Sequence, residues 1–62
     1  MTEQEAVEQA HAEQVQKLTT ILIDAFGPTI AEEARHQAEE RFQNGLREAR
    51  AARDRALALL KE

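Results

Sequence analysis

Two histidines each follow a glutamate by three residues, a spacing that can hold a metal ion. The pairs are Glu8 with His11 and Glu33 with His36. Residues three apart share one side of an α-helix, and Glu-x-x-His sequences supply ligands in carboxylate-bridged di-iron bundles. One hypothesis is therefore an iron- or zinc-binding bundle of two chains. In it, the first motif of one chain would lie at the same height along the bundle as the second motif of the other chain. The glutamates around His36, Glu33 and Glu40, are instead typical of a solvated face, so no resident metal or cofactor is predicted.

His11 is unusual for a second reason, because it lies in the middle of an apolar stripe. We expect a polar layer made of His11, Gln14 and Gly45, in which the glycine leaves room for the imidazole. Such a layer would fix register or oligomeric state, as a buried Asn does in coiled coils. The alternative is a pH-responsive interface, because burial favours the neutral imidazole and protonation would then oppose assembly.

Groups that carry out nucleophilic catalysis are scarce in this chain. It contains no cysteine, serine or tyrosine, and no glycine-rich phosphate loop. A unit of two helices also lacks a concave pocket of the usual size. We therefore expect a protein that is not an enzyme.

Basic side chains gather in the last third of the sequence, where Arg47, Arg50 and Arg53 are candidates for a phosphate-binding surface. No aromatic residue lies among them to stack on bases. The formal net charge of −4 also differs from the net basic surface of most nucleic-acid binders. Pairing of these arginines with the acidic N-terminal segment is the favoured interpretation, and RNA binding is a weaker alternative.

Helix-forming residues fill the chain on both sides of one interruption, Phe26-Gly27-Pro28-Thr29. Gly27 suits the left-handed position that ends a helix, and Thr29 with Glu32 fits a capping box that begins one. The sequence predicts an all-α single domain over residues 1–62. Its parts are helix 1 near 3–26, a turn at 27–29 and helix 2 near 29–61.

The dipeptide Asn44-Gly45 offers an alternative fold, because Asn-Gly often breaks helices. A break there would give a three-helix bundle whose last helix begins near residue 46. No Ser, Thr or Asp follows Gly45 to cap that helix, and the apolar stripe continues without a change of phase. A continuous second helix is therefore preferred.

A short turn makes the two helices antiparallel neighbours and pairs residues whose numbers add up to about 56. This register places the acidic N-terminus beside the arginines and sets His11 opposite Gly45. It also leaves the end of helix 2 projecting beyond helix 1. Exposed apolar groups usually mark a contact surface. The expected contact residues are those of this overhang and one on the outside of helix 1: Leu57, Leu59, Leu60 and Ile23.

Bulky apolar side chains are few among the 62 residues, and alanine supplies much of the apolar composition. A chain of this length buries only about 60% of its unfolded surface, so it usually needs disulfides, a metal or oligomerisation. The absence of cysteine excludes disulfides and favours the cytoplasm. We expect a homodimer that forms a four-helix bundle and binds or regulates a partner protein. No segment reaches the ~20 apolar residues of a membrane span, so no membrane partner is expected.

The opening Met1-Thr2-Glu3-Gln4-Glu5, the size and the hairpin plan resemble the Rop family of small plasmid RNA-binding proteins. That resemblance implies hairpins that pair into an antiparallel four-helix bundle, and it is the source of the RNA-binding alternative. The family reads RNA through a polar and basic face of helix 1. Helix 1 of this chain carries only one basic residue, Lys17, so the family's RNA-binding residues are not carried over.

Overall fold

The computed structural model describes residues 1–27 and 31–62, which form an antiparallel hairpin of two α-helices. Helix α1 spans Glu3–Ala25 and helix α2 spans Glu32–Leu60. The predicted all-α hairpin is confirmed. In the described part of the chain there is no strand, and no helix is long and apolar enough to cross a membrane.

The start of α1 is fixed by an N-cap at Thr2 that the sequence analysis did not predict. The backbone N–H of Glu5 donates to the Thr2 hydroxyl at 3.1 Å, and that hydroxyl donates to Oε1 of Glu5 at 3.2 Å. The helix ends where Phe26 leaves the helical region, at φ −94° and ψ 87°. No glycine within 1–27 or 31–62 has a positive φ, so the left-handed cap predicted at Gly27 is wrong.

Helix α2 begins later than predicted and then runs without a break. Its N-cap residue is Ala31, which has no side-chain oxygen to accept from the first turn. Thr29, the predicted cap, lies outside the described residues. The helix continues through Asn44 and Gly45 to Leu60, so the three-helix alternative is wrong. Strong helix formers on both sides of the glycine explain why this dipeptide does not end the helix.

The two helices are displaced along each other from the predicted register. A Cβ atom on Gly45 would lie 2.6 Å from Cδ2 of Leu18, so these two residues face each other. Farther along, Nη1 of Arg53 lies 3.4 Å from Nε2 of His11. Facing residues therefore have numbers that add up to about 63, a shift of about seven residues or ~10 Å along the axis. The predicted pairing of His11 with Gly45 is wrong.

This displacement moves the unpaired end of α2 from its C-terminus to its N-terminus. One hollow is lined by residues from the start of α1 and the end of α2: Glu3, Gln4, Leu57, Leu60 and Lys61. The predicted leucine overhang is therefore wrong. Residues 32–37, which are mostly polar, are all exposed instead. Covering leucines rather than glutamates removes more apolar surface from water, which favours the observed register.

The contact between the helices is a single seam that leaves every residue partly exposed. The hairpin measures 49 × 19 × 6 Å along its principal axes, so it is one layer of structure. Within residues 1–27 and 31–62, no residue is buried. The seam consists of half-buried residues: Val7, His11, Val15, Leu18, Thr19, Leu22 and Ala25 on α1, and Ala38, Phe42, Gly45, Leu46, Ala49, Arg53, Ala56 and Leu57 on α2.

Candidate functional site

One open face of the hairpin carries a groove between the helices, which we call the alanine groove. Helix α1 supplies the larger apolar side chains, and α2 supplies a glycine and three alanines together with the charged Glu48 and Arg53. Its lining residues are Val7, Ala10, His11, Gln14, Leu18, Gly45, Glu48, Ala49, Ala52, Arg53 and Ala56.

The small residues of this groove follow the spacing of a helix-packing seam. Gly45, Ala49, Ala52 and Ala56 are separated by four, three and four residues, which keeps them on one side of α2. Without bulky side chains on that side, another helix can approach α2 closely. Leu18 already uses this room, because it occupies the space in front of Gly45.

The opposite face carries a second groove with a different character, which we call the arginine groove. At 100° per residue, its α2 residues lie roughly half a turn away from those of the alanine groove. Leu22, Phe42 and Leu46 form its apolar part. Its complete lining is Leu22, Glu39, Phe42, Gln43, Leu46, Arg47, Arg50, Ala51 and Asp54.

His11, Gln14 and Gly45 all line the alanine groove, although Leu18 rather than His11 faces the glycine. Since an arginine only donates, the 3.4 Å contact with Arg53 requires His11 Nε2 to accept and Nδ1 to carry the proton. Nδ1 is itself buried and has no hydrogen-bond partner among residues 1–27 and 31–62.

The two Glu-x-x-His motifs do not meet within one hairpin. In the observed register His36 lies about 24 Å along the axis from His11. His36 Nε2 lies 3.1 Å from Oε1 of Glu40, and both side chains are exposed. Among the described residues no group of three or more His, Asp or Glu side chains is arranged to hold a metal ion. The four candidate ligands, Glu8, His11, Glu33 and His36, therefore do not form a site in one chain.

The three candidate phosphate-binding arginines are divided between the two grooves. Arg47 and Arg50 line the arginine groove together with Glu39 and Asp54. Arg53 lines the alanine groove, where its Nε and Nη2 each lie 3.1 Å from Oδ1 of Asp54. The expected ion pairs with the acidic N-terminus are absent from the described residues, because the shifted register separates the partners.

The predicted contact residues differ in exposure. Ile23 is 64% exposed on the outside of α1, as the sequence indicated, while Leu59 and Leu60 are 48% and 41% exposed. Leu57 is half-buried in the seam. Ile21 is 65% exposed and was missed as a contact residue. It follows Gln14 by seven residues, or two helical turns, and thus lies on the side of α1 that borders the alanine groove.

Sequence reasoning also missed the partner of His11 and the groove-lining role of the alanines on α2. The four- and three-residue spacing of Gly45, Ala49, Ala52 and Ala56 is the signal that could have identified this surface. The comparisons with known proteins found no matching family, no similar curated protein and no similar solved structure.

Proposed function

We propose that this chain is a non-enzymatic helical interaction module, which self-associates through the alanine groove and binds or regulates a partner protein. One observation carries the proposal: no residue in 1–27 or 31–62 is buried, although the seam is apolar. Stable domains bury the apolar stripe of each helix between at least two layers of structure. A hairpin 6 Å thick supplies one layer and needs a second.

The alanine groove is the better surface for self-association. Its apolar floor is bordered by Ile21, which a monomer leaves 65% exposed. A second hairpin laid on this face would cover Ile21, Leu18 and Val7 together. A four-helix bundle built in this way has the core that a single hairpin lacks.

The arginine groove would stay open in such a dimer and is the surface we assign to a partner protein. Leu22, Phe42 and Leu46 offer an apolar strip of the kind that receives an amphipathic helix. Arginine and acidic side chains border this strip, so a partner helix with charges of both signs would fit it.

Ile21 and Ile23 provide a matched test of self-association. They are the same residue type on the same helix, they are exposed to the same extent, and they lie 200° apart around it. Ile21→Glu should abolish the dimer, because it places a charge against the alanine groove of the second copy. Ile23→Glu should keep the dimer. Size-exclusion chromatography with light scattering measures both masses, and unchanged association of Ile21→Glu would overturn the choice of groove.

A further inference from the structure

We infer that the second copy packs on the alanine groove with both interhelical connections at the same end, so that α1 lies against α2 of the partner. This inference rests on the proposed self-association and specifies its geometry. Two hairpins stacked face to face can share a two-fold axis parallel to the helices or perpendicular to them. The parallel axis stacks α1 on α2 of the partner, whereas the perpendicular axis stacks α1 on α1 and α2 on α2.

Side-chain size favours the parallel axis. At the centre of the groove the α1 residues Gln14 and Leu18 are large. On the groove side of α2 the residues are small, with Gly45 and Ala49 at the same levels of the hairpin. Large side chains packed against small ones fill the space between two layers, and the parallel axis creates this match at the centre of the groove. The perpendicular axis would instead pack the large side chains of the two α1 helices against each other, and the small residues of the two α2 helices against each other.

Charge at the edges of the groove favours the same arrangement. In the observed register Glu48 is level with residue 15 of α1, which is two residues or ~3 Å along the axis from Lys17. Arg41 is level with residue 22, at the same axial distance from Asp24. The parallel axis preserves these levels, so Lys17 meets Glu48 of the partner subunit and Asp24 meets Arg41 of the partner subunit. Side chains tilt toward the N-terminus of their own helix, which brings each antiparallel pair closer.

The perpendicular axis brings like charges together when the two hairpins overlap fully. The centre of the paired region lies near Gln14, so Glu48 would come beside Glu48 of the partner subunit. Arg41 would then come beside Arg55 of the partner subunit. Sliding the hairpins to avoid these contacts would shorten the shared surface.

The face is large enough for a stable dimer. The hairpin extends over 49 × 19 Å, a face of the same order of size as the ~800 Å² that each partner buries in a standard interface. A second copy of this chain is thus an occupant whose size and charge both fit the groove.

A spin-label distance measurement tests the arrangement directly. Glu32→Cys introduces the only cysteine of the chain, at an exposed position beside the connection and away from the alanine groove. With helix axes 8–10 Å apart, two labels at the same end of the bundle should lie about 15–30 Å apart. Labels at opposite ends should lie about 50 Å apart. A dimer with the long distance would overturn the arrangement and leave self-association standing, whereas a monomeric mass would overturn both.

A charge exchange tests the inferred contact between Lys17 and Glu48 of the partner subunit. Each pair occurs twice in the dimer, so Lys17→Glu alone and Glu48→Lys alone should each raise the dissociation constant about tenfold. The double variant should return it to within about threefold of the original value, because it restores opposite charges. Local effects on either helix cannot produce this recovery. A double variant at least as weak as both single variants would show that the two residues do not meet.

Discussion

Gly45 has no side chain, and Leu18 of the other helix occupies the space in front of it. The sequence placed both residues on the stripes that face the other helix, and the structure confirms that placement. Which residue would occupy the space in front of the glycine was beyond the sequence, because it depends on how far the helices slide. Leucine fills that space with apolar contact, whereas the predicted imidazole of His11 would have brought polar atoms into it.

Gly45→Ala should stabilise the protein by less than the ~1 kcal/mol by which alanine exceeds glycine as a helix former. The added Cβ would lie 2.6 Å from Cδ2 of Leu18 and 3.1 Å from its Cδ1, so the leucine side chain would have to turn away and give up part of its contact with α2. The neighbouring Asn44 is exposed and provides the control. Asn44→Ala should raise the midpoint, because it improves helix propensity without a new contact. Circular dichroism melts at one protein concentration compare them, and a gain of the full ~1 kcal/mol from Gly45→Ala would disprove the tight contact.

Sequence patterns predicted the presence of the two helices better than they predicted where each helix begins and ends. Apolar periodicity predicted both helices and the continuity of α2 through Gly45, because these features depend on many residues acting together. The ends were less predictable, since each depends on one or two hydrogen bonds. Thr2 caps α1 through a pattern that had been recognised only at Thr29, whereas Ala31 occupies the N-cap position of α2 without any side-chain bond.

The uncapped start of α2 predicts a stabilising substitution. Ala31 has the extended conformation of an N-cap residue, at φ −70° and ψ 146°. Ala31→Ser should therefore stabilise the protein by about 1 kcal/mol, because its hydroxyl can accept from an N–H of the first turn. That gain corresponds to a rise of roughly 4–8 °C in the thermal midpoint. The same substitution at exposed mid-helix Ala12 should lower the midpoint, and equal effects at the two positions would argue against a capping mechanism.

At the level of the hairpin, the sequence predicted the topology but placed the helices about two turns from their observed register. A short turn favours the compact pairing, yet the longer slide partly covers Leu57 and exposes polar residues 32–37 instead. The slide also separates the acidic N-terminus from Arg47 and Arg50. The sequence indicated correctly that bulky side chains are few. The structure locates the consequence, which is a seam open on both faces.

Sedimentation equilibrium of the unmodified chain, from about 1 µM to 1 mM, tests most directly whether a second hairpin packs on this open seam to form a dimer. One chain has a mass of 7.0 kDa, so the dimer should appear as a species of about 14 kDa. Because folding and association are linked, the helix content and thermal midpoint should rise with concentration over the same range. A mass of 7.0 kDa at every concentration, with a cooperative and concentration-independent melt, would contradict the proposed self-association.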